Sequence, residues 1–272
     1  MTGSATNRIL INGVHLETRW IGPGPQAAPT IAMLHEGLGS MAQWRDWPDR
    51  LAQSTGCGVF LYSRASYGAS DPVTLPRPLS YMHDEATQVL PQLLDRIGFR
   101  RGALLGHSDG ASIATIHAGT IEDFRIRGLV LMAPHFFVED VNIRSIEEIR
   151  TNFETGDLRR RLARYHGANV DGAFWGWNRA WLDPGFRSWD IRESIGYIRV
   201  PMLIVQGADD QYGTTAQIEA ARDEAYCPVD VALIDGAGHS PHLDQADRTL
   251  AAVGGFVTTL FDTFGEKAAH GN

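Results

Sequence analysis

Ser108 stands between two glycines in Gly106-His107-Ser108-Asp109-Gly110. Residues 101–105 before it are short and apolar, and 111–118 after it have the small residues and spacing of a tightly packed helix. The serine therefore falls at a strand-to-helix corner, the setting of a G-x-S-x-G nucleophile elbow, where a Cβ two residues either side would collide with strand or helix. Such a turn lifts the hydroxyl clear of the sheet. A serine in this place can also do no more than cap the following helix, so its chemistry depends on what the rest of the chain brings to it.

A serine hydroxyl is almost un-ionised at neutral pH and needs a base. Ten histidines compete for that role. His239, in Gly236-Ala-Gly-His239-Ser-Pro-His242, follows the last strand-like run and precedes the final helix, which puts it in a loop at one sheet edge. His242 reads as a capping or surface residue near the start of that helix. His107 should pack behind the serine, and His35 belongs to another strand end. The base in turn needs a carboxylate to fix its tautomer and stabilise the imidazolium. Asp210, three residues past Gly207 and just beyond an apolar strand, is preferred over its neighbour Asp209. Glu139 and Asp140 rank below both, and either aspartate could instead cap a helix starting near Thr214.

These three side chains need elements to carry them. Residues 8–20 alternate around Asn12-Gly13, the pattern of a hairpin with a two-residue turn. Apolar runs follow at 30–34, 59–62, 103–105, 129–132, 202–205 and 231–234, separated by helical patterns at about 41–54, 80–97, 108–119, 214–225 and 243–264. Short strands apolar on both sides, alternating with helices, imply an α/β fold: a mostly parallel sheet with helices on both faces. The chain, 1–272, reads as a single domain with a helical cap inserted at about 136–196. That insert has no strand-like run and many aromatic residues, some expected to wall an apolar acyl or alcohol site. Its arginines and acids balance, so it gives no argument for an anionic substrate.

The order Ser108, Asp210, His239 and the strand pattern together resemble the α/β-hydrolase fold superfamily, in particular its single-domain serine esterase-like members with a helical cap, over about 8–264. Leu34-His35-Glu36-Gly37-Leu38-Gly39-Ser40 is similar to the superfamily's His-Gly-x-x-Gly oxyanion loop, and Tyr67-Gly68-Ala69-Ser70-Asp71 to its Gly-x-Gly-x-Ser turn. The resemblance implies an oxyanion hole made by the backbone N–H groups of Gly37 and Asp109. Glu36 and Ser66 stand where the superfamily usually has glycine. A carboxylate beside an oxyanion hole would oppose the developing charge, so Glu36 is expected to turn away or pair with an arginine. A serine nucleophile also argues against the dehalogenase and epoxide-hydrolase branches, which attack through a carboxylate.

The implied activity is hydrolysis of a small or medium carboxylic ester through an acyl-enzyme on Ser108, with no metal or organic cofactor. The same triad acting on a thioester, lactone, amide or C–C bond, or a catalytically silent binding protein, are the alternatives. A net charge of -8 lacks the basic face that nucleic acid requires. The only lysine is Lys267, which excludes a Schiff-base or phosphate-loop lysine in the body of the fold. The stretch 1–8 does not read as a secretory signal and no run is long enough to span a membrane. A small-molecule substrate, no nucleic-acid or membrane partner and a cytoplasmic location are expected, with a homo-oligomer possible. Cys57 and Cys227 are expected to be buried free thiols.

Overall fold

A computed structural model of the protein describes residues 7–269. Residues 1–6, part of the stretch read for a signal, lie outside that description, as does the side chain of Lys267. Strands β1 (Asn7–Ile11) and β2 (Val14–Ile21) pair about Asn12 and Gly13, whose φ values of 50° and 81° suit a two-residue hairpin turn. Strands β3 (Thr30–Leu34), β4 (Gly58–Tyr62), β5 (Gly102–His107), β6 (Ile126–Met132), β7 (Met202–Gly207) and β8 (Val229–Ile234) complete an eight-stranded sheet in the order β1-β2-β4-β3-β5-β6-β7-β8. β2 runs antiparallel to β4, and β3 to β8 are mutually parallel. Four of these strands, β3, β4, β5 and β7, are buried along their whole length, because helices cover both faces.

The helices are α1 (Trp47–Thr55), α2 (Tyr81–Asp84), α3 (Leu90–Arg96), α4 (Asp109–Thr120), α5 (Asp140–Thr155), α6 (Leu158–His166), α7 (Val170–Trp181), α8 (Arg192–Tyr197), α9 (Ala216–Glu224), α10 (Pro241–Asp244) and α11 (Ala246–Ala269). Alternate strand residues feed two cores. Val130 and Val205 meet Trp47, Leu51 and Val257 from α1 and α11 on one face. Leu129 and Ile204 meet Leu90, Ile113 and Ile195 from α3, α4 and α8 on the other.

Three expected helices are interrupted, each with a local cause. The 41–54 pattern divides into a 3-10 turn, Met41–Trp44, and α1, with Arg45 at φ 56° between them. Pro48 has no N–H and its ring would meet the carbonyl four residues back, so a helix can begin there but not run through. The 80–97 pattern passes through a π turn, Glu85–Val89, just before Pro91, which relieves the same clash. The 243–264 pattern starts earlier, as α10, and breaks at Gln245, whose φ of -132° and ψ of 58° are not helical.

Between β6 and β7, helices α5 to α7 enclose a small core of their own: Phe153, Leu158, Leu162, Val170 and Phe174, with the two phenyl rings parallel at 3.6 Å. Helix α8 instead joins the layer of α4, where Gly119 lets Ser194 approach closely. No helix among the described residues is long and apolar enough to cross a membrane.

Candidate active site

Ser108 caps α4 with φ 54° and ψ -119°, a left-handed conformation that only close packing on all sides sustains in a non-glycine residue. The flanking glycines explain how. A Cβ on Gly106 would lie 2.2 Å from the carbonyl oxygen of Gly110, and one on Gly110 2.2 Å from that of Leu34. α4 can approach β5 and the end of β3 this closely only without those methyl groups.

The loops after β7 and β8 bring the other two side chains to the serine. His239 Nε2 lies 2.9 Å from Ser108 Oγ, and Nδ1 lies 2.9 Å from each oxygen of Asp210. With Nδ1–H donating to the carboxylate, the Nε2 lone pair faces the serine hydroxyl, which donates to it. Asp210 is fixed by Tyr212 N–H on Oδ1 and Gln206 Nε2 on Oδ2, both at 2.7 Å. Burial pushes the Asp210 carboxyl up, but the charge and hydrogen bond of His239 and the Tyr212 N–H outweigh it and hold the group below the usual range. The alternatives are otherwise engaged. Asp209 is exposed, Glu139 accepts from Thr214 and Gln217 while capping α5, and Asp140 pairs with Arg187.

Neither Gly37 N–H nor Asp109 N–H has an acceptor among the described residues, and both residues line the pocket that holds Ser108 and His239. The Asp109 amide is in the first turn of α4, where no intrahelical acceptor exists, and its carboxylate is held away by Tyr81 Oη at 2.6 Å and Trp181 Nε1 at 3.2 Å. The Trp177 indole covers Gly37 so closely that a Cβ there would lie 2.1 Å from Nε1. Behind the loop, buried Arg64 donates to the carbonyls of His35 and Glu36, and its backbone N–H donates to His35 Nε2. His35 is thereby fixed as the neutral Nδ1–H tautomer, and burial, first, with the Arg64 charge holds its pKa well below the ordinary value.

The expectation for Glu36 is corrected. Its side chain neither turns away nor meets an arginine; it curls back within the loop, accepts from Leu38 N–H and lines the pocket that holds Ser108. Desolvation by burial, the largest influence on it, pushes this carboxyl above its ordinary range. Ser66 takes the glycine-like conformation of its turn, φ 70°, with its hydroxyl accepting from Val73 N–H.

His242 is a second correction. It is buried, 4% exposed, against Trp44 at 4.6 Å, and desolvation pulls its pKa down to about 3. Sequence reasoning also missed His135, which lies just after β6 and stacks on His239 with ring centroids 5.5 Å apart. Asn142 fixes its tautomer: Oδ1 accepts from Glu139 N–H, so Nδ2 faces Tyr212 O and His135 Nδ1. Nδ1 must accept, which leaves the proton on Nε2. Burial brings the His135 pKa down to about 3. A histidine directly after a strand at the C-terminal edge was the available signal. Cys57 is a buried free thiol, whereas Cys227 is only half-buried.

The pocket over Ser108 is about 220 Å³, walled by Leu38, Ile146, Leu162, Trp177, Trp181 and Tyr212. Among the described residues no group of three or more His, Cys, Asp or Glu is placed to hold a metal ion.

A serine at the corner between a central parallel strand and its helix, met by a carboxylate and a histidine from the loops after β7 and β8, defines an α/β hydrolase. The chain belongs to the alpha/beta hydrolase family, whose profile matches residues 31–253. It is 21% identical over 260 residues to a proline iminopeptidase of Lactobacillus helveticus (strain DPC 4571), covering 82% of this chain and 87% of that one. In fold it is similar to VinJ, with a TM-score of 0.76 at 20% identity over 94% of this chain and 99% of that one. It is also similar to an esterase from Exiguobacterium antarcticum, with a TM-score of 0.73 at 19% identity over 93% and 99%.

Proposed function

We propose that the protein is a serine hydrolase that cleaves a small or medium carboxylic ester through an acyl-enzyme on Ser108. The observation that carries this reading is the continuous path from Ser108 Oγ through the His239 ring to the Asp210 carboxylate, with 2.9 Å at each of its two hydrogen-bonded contacts. Ser108 Oγ attacks the carbonyl carbon as its proton passes to Nε2, and the oxyanion is received by the Gly37 and Asp109 N–H groups. His239 returns the proton to the departing alkoxide. Water, deprotonated by His239, then releases the acid and restores Ser108. Two such N–H donors are worth a large share of the barrier, since losing one typically costs about 10²- to 10³-fold.

The iminopeptidase relative raises an amide reading, in which a free amine must be recognised. The acids lining the pocket are Glu36 and Asp109. The first already accepts from Leu38 N–H and the second from Tyr81 and Trp181, so each carboxylate has partners within the protein. That favours the ester.

The test is turnover of p-nitrophenyl butanoate and of prolyl p-nitroanilide by wild type and Ser108→Ala. Ester cleavage that vanishes in the variant, with little anilide cleavage, is expected. Equal activity in the variant would overturn the assignment, and preferential anilide cleavage would overturn the ester.

A further inference from the structure

A second cavity of about 380 Å³ adjoins the catalytic pocket, and Glu36, Gln43, Leu162 and Ser240 line both. Three exposed arginines contribute to its lining: Arg45 from the break before α1, and Arg161 and Arg164 from α6. Arg161 is paired with Asp157 at 3.2 Å, but no ion pair engages the guanidinium groups of Arg45 or Arg164 among the described residues. Arg45 is held in a left-handed conformation, φ 56°, that non-glycine residues avoid. After burial, its positive charge is the next cause of the low His242 pKa, which places it within electrostatic reach of that ring on the cavity wall.

Among the described residues the only acid lining this cavity is Glu36, whose carboxyl is tied to Leu38 N–H. Three guanidinium groups against one carboxylate make the lining net positive in a chain with 24 basic and 32 acidic residues, so composition does not account for it. Guanidinium groups without an ion-pair partner among the described residues, lining a cavity that adjoins Ser108's pocket, match carboxylate and phosphate groups.

We propose that this cavity is an anion subsite of the catalytic pocket, taking a carboxylate or phosphate that the substrate carries away from the bond being cleaved. The inference rests on the ester-hydrolase reading and deepens it: the substrate is an ester with one anionic group.

Matched substrates test it. On the acyl side, the p-nitrophenyl monoester of glutaric acid is compared with p-nitrophenyl pentanoate. On the alcohol side, 4-carboxyphenyl and 4-phosphonophenyl butanoate are compared with phenyl butanoate. At least one anionic ester should exceed its neutral partner in kcat/KM by about tenfold, the scale of a charge-assisted contact. That preference should fall close to one in Arg45→Ala/Arg164→Ala, persist largely in Arg45→Lys/Arg164→Lys, and shrink at about 0.5 M salt. No anionic preference on either side, or a preference the alanine double variant keeps, would overturn the subsite.

If no ester is turned over, the ester reading fails by itself. Calorimetric titration with glutarate and inorganic phosphate then decides the subsite. Binding abolished by the alanine substitutions supports it, and equal or absent binding overturns it.

Discussion

His107 donates from Nε2 to the backbone carbonyl of His239 at 2.7 Å, tying the residue before Ser108 to the loop that presents its base. The ring is buried and packs edge-on to Trp44 and His242, so the loop is fixed from the protein side. Loss of this bond frees His239 by an amount that matters, because misplacement of about 1 Å can cost about 100-fold. His107→Phe is expected to lower kcat by about 10- to 100-fold with KM changed less than about threefold, and His107→Gln, which keeps a donor, should recover most of it. Wild-type kcat in His107→Phe would show that the bond positions nothing.

Asp210 and Asp209 are adjacent, yet only Asp210 faces His239. Asp210→Asn would present an amide to Nδ1 and favour the wrong tautomer, with a loss of about 10⁴-fold in kcat. Asp209→Asn, at an exposed position, should stay near wild type. Steady-state kinetics of the two variants on one ester separates them, and equal losses would contradict the assignment.

Two buried histidines are expected to weaken the fold on the acid side. His135 and His242 have folded pKa values brought down to about 3, against an ordinary value near 6.5. The unfolded chain therefore binds more protons between these values, and stability falls as pH drops from about 6.5 toward 3. Each ring costs roughly 2–3 kcal/mol by pH 4.5, from about 1.4 kcal/mol per unit. His242→Phe keeps a ring against Trp44 and removes the titrating group, whose Nδ1 has no partner. Urea unfolding should find wild type and variant closest at pH 7.5, with the variant gaining as pH falls; parallel profiles would contradict this.

Much of this arrangement was legible from local pattern. The Gly106 and Gly110 spacing, the runs ending in Asp210 and His239, and the hairpin at Asn12-Gly13 are short-range signals that tertiary packing kept. The breaks at Pro48 and Pro91 were also written locally and needed only the proline rule. What could not be read depends on distant partners. The tautomer of His135 is fixed by Asn142 on α5, and the burial of His242 by Trp44, almost two hundred residues earlier. Charge balance over the insert likewise hid the fact that Arg161 and Arg164 share one cavity with Arg45, which belongs to another segment. Glu36 looked like an obstacle because its bond to Leu38 N–H depends on the fold of its own loop.

The central claim is that Ser108 is a nucleophile made reactive by His239. Intact-mass and peptide-mapping analysis after treatment with a fluorophosphonate tests it most directly. One adduct on Ser108 in the wild type, strongly slowed in His239→Ala, is predicted; an unlabelled Ser108, or labelling as fast without the histidine, would contradict it.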